Sequence, residues 1–134
     1  MDIADARRRV ESARVGRLGT VTVEGKPHLV PCCFVLREDV VYTAVDAKPK
    51  SSLALRRIDN ISAHGWASLL VDHYEEDWSE LWWVRLDGTG RVVDSGDEVE
   101  HAKRALAAKY PQYENVAILG PVIGISVKRW RSWP

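Results

Sequence analysis

The stretch LGTVTVEGKPHLVPCCFVLREDVVYTAV, from Leu18 to Val45, decides the fold. Leu18–Val23 alternates weakly and is rich in β-branched residues, as a half-buried strand is. Glu24-Gly25-Lys26 follows as a turn, with Gly25 able to take the positive φ of a tight hairpin. His28–Leu36 reads as the return strand, Arg37-Glu38-Asp39 as a second polar turn, and Val40–Val45 as the next strand. These spacings predict an antiparallel meander.

Upstream, residues 2–14 carry Ile3, Ala6 and Val10 between arginines, and Asp2 can cap them as a short amphipathic helix. Downstream, Ser51 or Ser52 can cap a helix bearing Leu53, Ala54, Leu55 and Ile58. Trp66–Val71 is an apolar run that reads as a buried strand, and His73–Glu80 as an acidic loop. Leu81–Val93 is strand-like but contains Asp87-Gly88-Thr89-Gly90, which allows either a hairpin or one long strand bulged at glycine. Asp97 can cap another helix, with Val99, Ala102, Leu106 and Tyr110 as its apolar stripe and Pro111 as its stop. Val122–Trp130 is the last strand. Helices do not alternate regularly with strands, which argues against a doubly wound parallel sheet, and a small antiparallel barrel with flanking helices is expected.

The chain has 134 residues, the size of one domain spanning 1–134. Its 19 basic and 19 acidic side chains cancel, which argues against nucleic-acid binding driven by counterion release. No apolar stretch has the length of a membrane span, and no secretory leader is expected. The cysteines, Cys32 and Cys33, are adjacent and suit neither a disulfide framework nor zinc, so a reducing cytoplasm is the expected location.

Few residues carry chemistry. No nucleophile elbow, zinc-protease helix, dinucleotide fingerprint or phosphate-binding P-loop is present. Asp72-His73-Tyr74-Glu75-Glu76-Asp77 reads as a solvated loop rather than a metal centre, because consecutive side chains do not converge on one ion. Lys48-Pro49-Lys50-Ser51-Ser52 lies between a strand end and a helix start, where ammonium groups, hydroxyls and free N–H groups can meet one phosphate. Trp82 and Trp83 are consecutive in a strand, so one indole leaves the barrel interior and is expected to be covered by a subunit interface or a flat ligand. Trp130 and Trp133 pose the same question.

In order along the chain stand Leu18-Gly19-Thr20, Gly25-Lys26-Pro27-His28-Leu29-Val30-Pro31, Tyr42-Thr43, and Lys48-Pro49-Lys50-Ser51 followed by Leu53, Leu55, Arg56 and Asn60. Their succession resembles the pyridoxamine-phosphate-oxidase-like family, whose fold is the FMN-binding split β-barrel, mainly β with flanking helices. Leu69-Leu70-Val71-Asp72-His73-Tyr74, Asp77-Trp78, Leu81-Trp82-Trp83-Val84-Arg85 and the closing Val127-Lys128-Arg129-Trp130 and Trp133 resemble its probable F420-dependent branch, which uses a deazaflavin in place of FMN.

The resemblance implies a homodimeric oxidoreductase with cofactor at each end of the subunit interface and a small-molecule substrate. It implies cofactor contacts from Val30, Pro31 and Cys32, from Tyr42 and Thr43, and from Lys48, Lys50 and Ser51 at the phosphate. Trp83 falls where oxidase relatives place a polar residue near the ring, and Trp130 near an aromatic reaching over from the partner. Arg56 and Arg57 join the basic turn as candidates for an anionic tail. No catalytic acid and no metal ligand is nominated. Val30 stands where pyridoxamine-phosphate oxidases carry arginine, and their C-terminal arginine pair is not recognisable, so that substrate is not implied. FMN in place of F420, or a carrier that binds cofactor without turnover, are the alternatives.

The phosphate assignment gives a direct expectation. A charge-assisted contact is worth ~1.5–3 kcal/mol. Lys50→Ala should therefore weaken cofactor binding roughly ten- to a hundredfold while leaving the folding midpoint nearly unchanged. Unaltered binding of both F420 and FMN by this variant would show the phosphate site to lie elsewhere.

Overall fold

The computed structural model describes residues 1–45 and 52–134, with the side chains of residues 52–55 left out. Lys48, Lys50 and Ser51 lie outside the described residues. The element order is α1 (Ile3–Ser12), β1 (Gly16–Val21), β2 (Pro27–Cys32), β3 (Val35–Arg37), β4 (Val40–Ala44), α2 (Ser52–His64), β5 (Trp66–His73), β6 (Trp82–Val93), α3 (Asp97–Lys109) and β7 (Val122–Trp133). The strands form one seven-stranded sheet in the order β2-β1-β5-β6-β7-β4-β3, and every pairing is antiparallel.

The expected return strand His28–Leu36 is two strands. β2 ends at Cys32, β3 begins at Val35, and the two occupy opposite edges of the sheet. Three peptide units reach at most about 10 Å. The sheet must therefore curl until its edges nearly meet, which makes it a split barrel. The meander is corrected accordingly: β4 pairs with β3 and β7, not with β2. The physical reason is Phe34, which turns into the core at the crossing and is fully buried.

Two hydroxyls pin the crossing. The Phe34 N–H donates to Tyr110 Oη at 3.1 Å, and the Tyr110 hydroxyl lies 3.1 Å from the Phe34 carbonyl and 3.0 Å from that of Arg14. From the other side Thr43 Oγ1 donates to the Cys33 carbonyl at 2.7 Å. The Lys109 ammonium sits 3.9 Å from the Phe34 ring centroid, a cation–π contact.

The core fills the curl with Leu18, Phe34, Val41, Leu69, Leu86 and Ile125, among others. α1 buries Ala6 and Val10 in one end of it. Asp2 caps that helix as expected, accepting from the Asp5 N–H at 2.8 Å. α2 sits at the other end through Ile61 and through Asn60, whose amide donates to Thr20 Oγ1 at 3.0 Å. α3 packs its Val99, Ala102 and Leu106 over Tyr42, Val93 and Val122. Its first residue is preceded by Gly96 at the cap with no side-chain hydrogen bond, so Asp97 lies in the first turn rather than capping it. Glu98 fastens α3 to the sheet by accepting from the Tyr42 hydroxyl at 2.6 Å and from both terminal nitrogens of Arg91. Arg91 and then Tyr42 hold the Glu98 carboxyl down at about 2.

Leu81–Val93 resolves to one long strand. Gly88 pairs with Val127 and Asp87 with Arg129, so Lys128 is an extra residue on β7. A Cβ on Gly88 would stand 2.0 Å from the Ser126 carbonyl oxygen, which explains the glycine. The last strand runs past Trp130 to Trp133, and the loop after β5 contains a single helical turn at Trp78–Glu80. No helix among the described residues is long and apolar enough to cross a membrane.

Tyr110→Phe removes the hydroxyl that satisfies the buried Phe34 N–H. Leaving such a donor unpaired costs ~1–3 kcal/mol. Urea titration of this variant should show an unfolding free energy lowered by that amount, read as a lower midpoint at constant slope; an unchanged midpoint would mean that the crossing is held by packing alone.

Candidate functional site

The ends of β2 and β4 converge beside the crossing, and a cavity of about 240 Å³ opens between them. Pro31, Cys32 and Cys33 form one wall, Thr43, Ala44 and Val45 another, and Arg57 of α2 a third. The segment after α3 closes the rest with Tyr113, Val116, Ala117 and Ile118.

The chemistry of this lining is uneven. Arg57 is half-buried, and its Nε is buried without a hydrogen-bond partner among the described residues. A donor kept from water without a partner is costly, and an anion in the cavity would relieve it. Thr43 is almost wholly buried, with its hydroxyl committed to Cys33. The Cys32 thiol is pushed up to about 11, chiefly by burial, with Thr43 and Arg57 acting against the rise. It is protonated at neutral pH. Cys33 is exposed, but it lies past the end of β2 in the crossing and both cysteines line the cavity, so the difference in burial is not the strand alternation that the sequence suggested. Val116 and Leu119 are exposed apolar residues on the segment after α3, and Val116 lines the cavity.

The structure brings three of the sequence-derived site residues into this cavity: Pro31, Cys32 and Thr43. Val30 turns inward and packs against the core, opposite Leu18. Tyr42 points the other way, under α3, where burial and then the Glu98 carboxylate push its hydroxyl up to about 12. Trp83 and Trp130 do not line the cavity. Trp130 packs against the core with the Arg7 guanidinium 5.2 Å from its ring centroid. Trp82 also packs on the core, with Arg9 at 4.8 Å from its centroid and His73 stacked at 5.9 Å. Trp83 is therefore the indole on the outer side of the sheet. The 113–118 wall was not foreseen. Its only signal is a run of apolar residues after the Pro111 helix stop, which in a sequence looks like an ordinary loop.

A curled antiparallel sheet split at one crossing, with a cationic cavity beside the split, defines a split-barrel protein. A family profile described as pyridoxamine 5'-phosphate oxidase matches residues 3–134, and the chain belongs to that family. Solved structures agree on the fold. A conserved hypothetical protein of Mycobacterium tuberculosis superposes with a TM-score of 0.80 at 21% identity, over 99% of this chain and 84% of that one. A heme binding protein of Mycobacterium smegmatis gives 0.78 at 23%, over 96% and 52%. An FAD binding protein of the same organism gives 0.71 at 17%, over 99% and 95%. No curated protein matches in sequence.

The unequal cysteines give a simple check of this wall. Cys33 should react with iodoacetamide in the native protein, whereas Cys32, buried and protonated, should react only after unfolding. Mass spectrometry of the labelled peptides reads the difference, and equal labelling of both in the native state would contradict the geometry.

Proposed function

We propose that the protein is an F420-dependent oxidoreductase, acting as a homodimer, that transfers a hydride between the deazaflavin and a small-molecule substrate. The observation that carries this reading is the Arg57 Nε, without a hydrogen-bond partner among the described residues, in a cavity lined by Pro31, Cys32 and Thr43. The residues present fit the phosphate end of such a cofactor. Arg57 supplies the cation, and Val45, Val116 and Ile118 supply an apolar side to the cavity. Lys48, Lys50 and Ser51 extend the same anion site in this reading.

About 240 Å³ is less than the ~300–1,000 Å³ of pockets that enclose drug-sized ligands. The ring system would then lie outside the cavity, on a surface completed by a second copy. Trp83, on the outer face of the sheet, belongs to that surface.

When bound, the deazaflavin supplies the hydride chemistry. The chain's own part is to neutralise the phosphate at Arg57 and fix the cofactor against the Pro31–Cys32 wall. Cys32 remains a thiol and does not compete as a nucleophile. No carboxylate or imidazole lines the cavity among its described residues. A second reading is a carrier that holds flavin or deazaflavin without turnover, in keeping with the heme binding and FAD binding proteins that share the fold. FMN is the alternative cofactor, since its phosphate suits the same cation.

Separate titrations with F420 and FMN, read by quenching of the tryptophan fluorescence, test the reading. F420 should bind the more tightly, and Arg57→Ala should weaken it roughly ten- to a hundredfold. Failure of both cofactors to bind removes the cofactor reading. Tight F420 binding with no hydride exchange against any candidate substrate favours the carrier.

A further inference from the structure

The face of the sheet not covered by α3 carries a polarised pattern. Register places Trp83 beside Trp133 and Asp72 in one row. The next row holds Arg17, Leu70, Arg85 and Arg131, and Pro31 lies opposite Arg17. Beyond the indole row, on the far side from the arginines, hangs the loop from Tyr74 to Glu80. There Glu75, Glu76, Asp77 and Glu80 are exposed, as are Tyr74 at 62% and Trp78 at 69%. Arg17 reaches Asp72 at 3.5 Å and Arg85 reaches Asp87 at 2.9 Å, but Arg131 has no ion pair among the described residues.

We propose that this loop of one copy docks on the arginine row of a second copy, with the two-fold axis running across the strands through the Trp83–Trp133 row. The inference rests on the homodimer reading above. Two sheets that face each other can be related only by an axis lying in the plane between them. An axis along the strands would set acidic loop against acidic loop and arginine row against arginine row. An axis across the strands sets each loop against the other copy's arginines, and opposite charges then meet on both sides. The same axis brings Trp83 and Trp133 of the two copies together and removes them from water. It also seats Tyr74 and Trp78 over Leu70 and the arginines, where an indole face suits a guanidinium. Pro31 belongs both to the docking row and to the cavity wall.

Charge reversal tests this. Arg131→Glu and Glu76→Lys should each raise the self-dissociation constant, measured by sedimentation equilibrium, roughly tenfold, because each dimer contains the contact twice. An equimolar mixture of the two variants should recover association as a heterodimer, since both of its contacts pair opposite charges again. Near-parental self-association of both variants overturns the docking while leaving the homodimer standing. Weakened variants with no recovery on mixing also overturn it, and the mixture excludes misfolding as a source of false support. A parent protein that is monomeric at micromolar concentration overturns the homodimer reading itself.

Discussion

Everything in this barrel depends on how Cys33 and Phe34 cross from one edge of the sheet to the other. A flat seven-stranded sheet would hold β2 and β3 apart by six inter-strand spacings of about 4.8 Å. The two-residue connection forbids that. Once the crossing is fixed, the curl, the enclosed core and the cavity at the split are geometric consequences. The backbone at the crossing has left both strands and needs other partners. Tyr110 and Thr43 provide them, from α3's end and from β4. α3 thus does more than cover the outer sheet: its terminal tyrosine holds the split in register.

Much of this order could be read in the sequence, because period and punctuation reflect local physics. Asp2 before an amphipathic stretch, Gly25 in its turn, and Pro111 after α3 each act within a few residues, and each element is found where those signals put it. The crossing could not be read. Cys33 and Phe34 are apolar residues in an apolar run, so alternation gives no reason to break the strand there. The break is a tertiary event: it is favourable only because a core exists to receive Phe34 and a distant tyrosine exists to satisfy its N–H. The Asp87–Gly90 stretch shows the same limit from the other side. Its glycines permit a turn, but Gly88 is required by the closeness of the Ser126 carbonyl on a strand far ahead in the chain.

The candidate site was partly legible for a related reason. Pro31, Cys32 and Thr43 meet because strand ends meet in this fold, and a resemblance in strand order carries that information. Tyr42 shares its strand with Thr43 and so points away from it, toward Glu98. Arg57 stands out only in three dimensions. In the sequence it is one of two consecutive arginines, Arg56 and Arg57. In the fold it is the one that turns from solvent, and its Nε finds no hydrogen-bond partner among the described residues.

The extra residue on β7 has a consequence for the whole outer surface. Before Lys128 the odd-numbered residues Ile123, Ile125 and Val127 face the core; after it the even-numbered Trp130 does, and Arg129, Arg131 and Trp133 face out. One inserted residue thus works as a parity switch. Strict alternation through this point would send two guanidiniums and an indole into the barrel and turn Trp130 to the water. The identity of the residue at 128 matters little to this; its presence matters entirely. Length, rather than composition, is therefore what the outer face of this barrel demands at that point, and the surface that Arg131 and Trp133 share is written in the count of residues between Val127 and Trp130.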